Sequence, residues 1–408
     1  MDKMSNLLIF HDIMEDNVIR KYNEAIIKKS EECWQEFHYE MIKKAEKIGL
    51  SGNAFSSYIV YLLAKGNNIV ADNIQHNAVV GNSLSILLED EMQRIMPYIE
   101  SMLPADKKIN TVLNDYIPGQ KCSMEGYNEL TAKLAAVNSA QEAAQTLIAH
   151  YKKYGSGQMV HYRAFCWSND NKLKGINHFE KIRMTDLIGY AKQKKQLVDN
   201  TLTFIEGKPY NNILLVGSRG TGKSSGVKAL ANEYYKKGLR LLQITKDQIK
   251  LLPDIMEHLR SLAGYKFIIF LDDLSFDQEE RDYKYLKSVI EGGVASRPEN
   301  VVLYATSNRR HLIKETWNDR EDTQEELYRN DSVNESISLS DRFGIIINYD
   351  APNQDEYLAI IDSYLQKEGI SLSAEQLRVE GLRWELTHSG RNGRVAKQFV
   401  NWYLGQNK

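Results

Sequence analysis

Gly217-Ser218-Arg219-Gly220-Thr221-Gly222-Lys223-Ser224 combines glycines, a lysine and a hydroxyl in the spacing G-x-x-x-x-G-K-[ST]. Such glycines let backbone N–H groups converge on phosphate oxygens. Lys223 offers a point charge to outer phosphates, and Ser224, followed by Ser225, offers a hydroxyl to Mg²⁺. Asp272 and Asp273 end the apolar run 267–271, about 50 residues further on. An acid at such a strand end lies beside the phosphate loop, so Asp272 is read as the Mg²⁺ acid, directly or through water. Asp273 is placed to orient and polarise an attacking water. A third run ends at Asn308, which faces the outer-phosphate region, with Ser307 as its alternative. Arg342 is a candidate planar cation for spread phosphoryl charge. Arg394 is placed to reach the same region from the C-terminal helices, and Arg391 competes for that role. The chemistry these residues suit is phosphoryl transfer to water.

Positioning them requires a strand before the loop and a helix after it. The apolar run 213–216 and the helical pattern 225–236 supply both. Five short apolar runs, 212–216, 240–244, 267–271, 301–305 and 344–348, alternate with amphipathic stretches. That pattern predicts an α/β fold: a five-stranded parallel sheet covered on both faces, a P-loop NTPase αβα core over 187–350. Helical patterns at 354–367, 374–387 and 393–404 predict a helical lid over 351–408. Residues 1–150 read as a mostly helical accessory domain. Its apolar stripe from Val18 to Ile42 predicts one long helix, stopped near Gly49 and Gly52. Further helices are expected at 54–65, 84–102 and 127–151, with breaks at Pro97, Pro104 and Pro118. Residues 151–186 read as a basic linker with a short hairpin carrying Tyr162, Phe165 and Trp167. Residues 311–339 form a polar, mostly acidic segment of no assigned role.

In order and combination, residues 187–399 resemble the AAA+ ATPases. Ile188 and Gly189, the phosphate loop, the Asp272–Asp273 pair, Asn308, Arg342 and Arg394 carry the resemblance. Within them, the stretches 220–225, 272–276, 304–311, 339–344 and 393–399 are similar to an uncharacterised bacterial AAA+ family, a domain of unknown function. The resemblance implies ATP and Mg²⁺ as ligands, ATP hydrolysis, nucleotide contacts from Ile188 and Gly189, and a homo-oligomer. In such an assembly Arg342 acts on the neighbour's nucleotide. The expected function is a Mg²⁺-dependent ATPase that remodels an unidentified partner, protein or nucleic acid. The alternatives are a nucleotide-gated oligomerising module with slow hydrolysis, or a DNA-associated loader. The acid pair also resembles replication-initiator ATPases, although no helix-turn-helix pattern follows the lid.

Composition narrows the field. Apolar residues are 42% and charged residues 26% of the 408, a globular balance. Lys and Arg total 52 against 54 acids, a net charge of -2, so no global positive field holds nucleic acid. Any such contact needs a local patch, and 151–210, with eleven basic against five acidic residues, is the candidate. Apolar runs are strand-length, far short of the ~20 residues that span a bilayer, so no membrane partner is expected. No secretory signal is visible in the first ten residues. Cys33, Cys122 and Cys166 are far apart, which suits a reducing cytoplasm and argues against a disulfide framework or zinc site.

Overall fold

The computed structural model describes residues 6–77, 79–104, 107–276, 282–291, 297–308, 342–388 and 390–406. The chain divides into two units: residues 1–162 with 261–265, and residues 163–260 with 266–408.

In the second unit the apolar runs become β3 (Ile213–Gly217), β4 (Leu239–Ile244), β5 (Lys266–Leu271), β6 (Val301–Ser307) and β7 (Ile345–Tyr349). Their branched and aromatic side chains are buried on both faces in β4, β5 and β6, as strands between two helical layers must be. The sheet differs from the expected five strands: among the described residues it has seven, in the order β2-β1-β4-β5-β6-β3-β7. The two extra strands are β1 (Ala164–Trp167) and β2 (Leu173–Gly175), the hairpin of the segment read as a linker. β1 pairs parallel to β4, with Ala164 level with Leu241, and antiparallel to β2. Without it β4 would present an open edge of unpaired backbone groups; Phe165 and Trp167 are buried in the process.

The strand that leads into the 217–224 loop, β3, is internal, lying between β6 and β7. Strand order reverses there, and ligands of open α/β sheets lie beyond the carboxyl ends of strands at such points. Helices α11 (Ala191–Ile205), α12 (Lys223–Tyr234), α13 (Leu252–Arg260) and α14 (Asp282–Glu291) belong to the same unit. Three further helices form the lid: α15 (Gln354–Lys367), α16 (Ala374–Leu386) and α17 (Gly393–Gln406). Capping boxes, Asn353 with Glu356 and Ser373 with Gln376, start the first two. Tyr357, Ile361, Leu365, Val395 and Phe399 form the buried core of the lid.

The first unit is helical throughout its described regular elements: α1 (His11–Glu15), α2 (Asn17–Lys28), α3 (Glu31–Ile48), α4 (Ala54–Lys65), α5 (Ile69–Asn77), α6 (Asn82–Glu100), α7 (Lys108–Asn114), α8 (Tyr127–Leu134), α9 (Ala140–Tyr154) and α10 (Gln158–His161). The single helix expected over 18–42 is two. Lys29 is left-handed (φ 50°), and Ser30 accepts from the Cys33 N–H to cap α3. Tyr22 then packs edge-on against Phe37 across the break. Likewise the expected 127–151 helix is interrupted before Ser139, which caps α9. Pro97 is not a break but lies inside the last turn of α6. Partners from α4 and its cap hold that end: Ser56 Oγ donates to the Ile99 carbonyl and Asn53 to that of Ser101. A further device is Glu91 of α6, only 3% exposed, whose carboxylate accepts backbone N–H groups of Leu8, Ile9 and Phe10 at 2.6, 2.9 and 3.1 Å.

Candidate functional site

At the end of β3 the chain turns on Gly217 (φ 132°). A Cβ there would lie 2.0 Å from the Tyr349 carbonyl oxygen, so no other residue fits without moving β7. Ser218 N–H donates to that same oxygen at 3.1 Å. Gly220 (φ 76°) faces the lid, where a Cβ would come within 2.4 Å of Asn392 Oδ1. The loop closes with Thr221 Oγ1 donating to the Ser218 carbonyl, and α12 starts at Lys223. Its first N–H groups and positive end therefore point across the loop. Lys223 is 6% exposed. Its Nζ donates to the carbonyls of Gly217 (2.8 Å) and Ser218 (2.7 Å) and to Asn308 Oδ1 (3.2 Å). Burial pushes its pKa down; Asp273 and Asp272 oppose this, and Arg219 adds to it.

Across the cleft, Leu271 of β5 is level with Ala305 of β6, so the next residues, Asp272 and Thr306, meet. Asp272 Oδ1 accepts from Ser224 Oγ at 2.5 Å and from Thr306 Oγ1 at 2.6 Å. Asp273 is left-handed (φ 53°), and its N–H donates to Thr306 Oγ1 at 2.9 Å. Asp273 Oδ1 accepts from Asn308 Nδ2 at 2.5 Å. A hydrogen-bonded chain thus runs from Lys223 through Asn308 to Asp273 and, through Thr306, to Asp272 and Ser224.

These residues line a cleft of about 660 Å³. Ile188, all of 219–225, Asp272, Asp273, Asn308 and Arg394 line it. Gly217, Ser218 and Gly189 do not line it; Gly189 instead makes a left-handed turn (φ 77°) ahead of α11. The lid closes one side: the Gly393 N–H at the start of α17 donates to the Gly220 carbonyl at 2.9 Å. Asn392 caps that helix by accepting from Val395 N–H. Of the two competing arginines, Arg391 is bonded to Glu385 at 2.9 Å, and Arg394 faces the cleft. Ser307 is fully buried in β6 and lies away from the cleft lining.

Arg342 is exposed and absent from the lining. It precedes β7, whose Ile345 pairs with Ile213, whereas Gly217 pairs with Tyr349. Arg342 therefore sits at the end of the sheet opposite the phosphate loop. Ser340, Asp341 and the acidic 311–339 segment lie outside the described residues.

Sequence reasoning missed Thr306, Lys228, Tyr364 and Lys397, all of which line the cleft. The signal for Lys397 was present: it is one helical turn beyond Arg394, on the same face. Lys228 shares a 3.3 Å ion pair with Glu180, which no local pattern announces.

Residues 160–407 match a family model described as a protein of unknown function (DUF815). No curated protein matches the chain. Among solved structures, the Thermotoga maritima RuvB Holliday junction branch migration motor aligns at 16% identity and a TM-score of 0.37, over 55% of this chain and 64% of its own. C. elegans PCH-2 aligns at 16% identity and 0.37, over 53% and 63%. The chain thus spans under two thirds of the length of each of these.

Proposed function

The chain belongs to the DUF815 family, and we propose that it is a Mg²⁺-dependent AAA+ ATPase, converting ATP and water to ADP and phosphate and coupling that cycle to remodelling of an unidentified partner. Lys223 carries this reading. It is a buried ammonium whose hydrogen-bond acceptors are all neutral oxygens, set opposite two carboxylates. A cation in that state favours an anionic ligand in contact with it. The α12 N-terminus beside it favours the same ligand.

Ser224 and Asp272 present hard oxygen donors side by side, the donor type Mg²⁺ requires. They are the residues that would hold it; when bound, the ion neutralises charge on phosphate oxygens. Asp273 accepts a proton of the attacking water and aligns it, while Asn308 orients both that carboxylate and the outer phosphate. Arg394 and Lys397 bring positive charge from the lid. Arg342, at the far end of the sheet, serves a neighbouring copy's nucleotide, which makes the working form a homo-oligomer. A cytoplasmic location is part of the proposal; no described helix is long and apolar enough to cross a membrane.

One observation favours a second reading, a nucleotide-gated module with slow hydrolysis. Asp273 is short, and its carboxylate oxygen is already engaged by Asn308.

Phosphate release by the purified chain with Mg²⁺ and ATP separates the two. The ATPase reading expects sustained turnover that Lys223→Ala abolishes together with nucleotide binding. It also expects Arg342→Ala to bind ATP yet turn over about 10³-fold more slowly, with activity partly restored on mixing with Lys223→Ala protein. Assembly that responds to ATP with negligible single-turnover hydrolysis favours the gated module.

A further inference from the structure

Thr306 sits where the two acids meet, and its bonding leaves little freedom. Its side chain is nearly sealed from solvent, 2% exposed. Oγ1 carries one proton and two lone pairs. It lies 2.6 Å from Asp272 Oδ1, and an ionised carboxylate only accepts, so the hydroxyl proton points there. The same oxygen accepts the Asp273 N–H at 2.9 Å. The Thr306 carbonyl accepts the Leu274 N–H at 2.7 Å. One residue of β6 therefore grips three consecutive residues beyond β5. The middle one, Asp273, holds a left-handed backbone that an aspartate adopts only under constraint. That reversal turns Asp272 toward Ser224 and Asp273 toward Asn308. β-branching limits Thr306 to few rotamers, so a strand of the rigid sheet sets the direction of both carboxylates.

We propose that Thr306 is the positioning residue for both acids: its hydroxyl sets the Asp272 carboxylate for the divalent cation, and its lone pair holds the Asp273 backbone in the conformation that aims it at water. This rests on the ATPase reading above. Thr306 touches neither nucleotide nor metal in it; it acts through Asp272 and Asp273.

The test is equilibrium binding of a fluorescent ATP analogue, titrated without Mg²⁺ and then with it, beside phosphate release. For Thr306→Val, which keeps the shape and loses the hydroxyl, metal-free nucleotide affinity stays within about twofold. The Mg²⁺ midpoint rises about tenfold, the size of one lost charge-assisted hydrogen bond. kcat falls with little change in KM. Thr306→Ser restores the midpoint to within about threefold, a rescue that a packing role would not give. If Thr306→Val does not fold, Thr306→Ala and Thr306→Ser are compared instead, with the same expected split. A midpoint unchanged in the hydroxyl-less variant, or a serine variant no better than it, overturns the proposal. Wild-type protein that binds no nucleotide, or binds it without regard to Mg²⁺, instead overturns the ATPase reading itself.

Discussion

In the proposed mechanism the Asp273 carboxylate, bonded to Asn308, takes the proton of the attacking water. Replacing the carboxylate with an amide keeps its shape but removes the proton acceptor. Asp273→Asn is expected to bind ATP within about threefold of wild type and to release phosphate at least 10²-fold more slowly, on the order of a lost general base. Wild-type turnover in that variant would remove Asp273 from the water's path. At this scale residue type and spacing were informative: 219–224 and Asp272, far apart in sequence, line one cleft. Thr306 was not legible, because a threonine is an ordinary strand residue and its partners come from the adjacent strand through a register no local pattern records. Arg391 and Arg394 are three residues apart in sequence, and what separates them is the Glu385 contact of the first and the cleft-lining position of the second.

Among the elements, lid helix α17 is bonded directly to the 217–224 loop. Its first N–H is bonded to the phosphate loop at Gly220, a bond between two backbones. Gly393→Pro deletes the donor at a position where proline suits a helix start. Nucleotide should leave about fivefold faster, as expected for one hydrogen bond near 1 kcal/mol, while Gly393→Ala keeps the N–H and releases nucleotide more nearly as wild type. Stopped-flow displacement of a fluorescent nucleotide reads both, and equal rates for the two variants would show that the bond holds nothing. Helix α4 and helix α15 occupy the spans their periodicity predicted. Elsewhere periodicity misled: the stripe runs in phase through Lys29, so it hid the break that Ser30 and the two glutamates after it announce. Pro97 lies in the last turn of α6, where little helix remains to disrupt, and Asn53 and Ser56 satisfy the end carbonyls of Ser101 and Ile99.

Over the whole molecule, stability should respond to acid through His150. This ring is 5% exposed in the helical unit, and among the described residues its Nε2 has no hydrogen-bond partner. Burial lowers its pKa to about 4 from the ordinary 6.5; a backbone bond at Ala64 and Glu129 resist the shift, and Lys133 and Lys153 reinforce it. The unfolded chain takes up this proton first, so the contribution is complete above pH 6.5. It is lost as pH falls toward 4, at up to roughly 1.4 kcal/mol per pH unit. His150→Phe should flatten the fall in melting temperature between those two values; an unaltered slope would exclude His150 as its source. At this scale the α/β core and its lid were legible, because buried parallel strands and amphipathic helices differ in period. The docking of 164–175 onto the sheet was not, since β1 and β4 are joined only through the fold.

Strand β7 touches two places at once. Tyr349, at its carboxyl end, is the backstop against which Gly217 and Ser218 rest. Arg342 stands just ahead of its other end. Only a short rod of strand, roughly 3.3 Å per residue, separates them. Such a rod is stiff because its neighbour holds it along its length. Copies arranged head to tail would be geared together through it, each one's filled or emptied loop felt as a push at the next copy's doorstep.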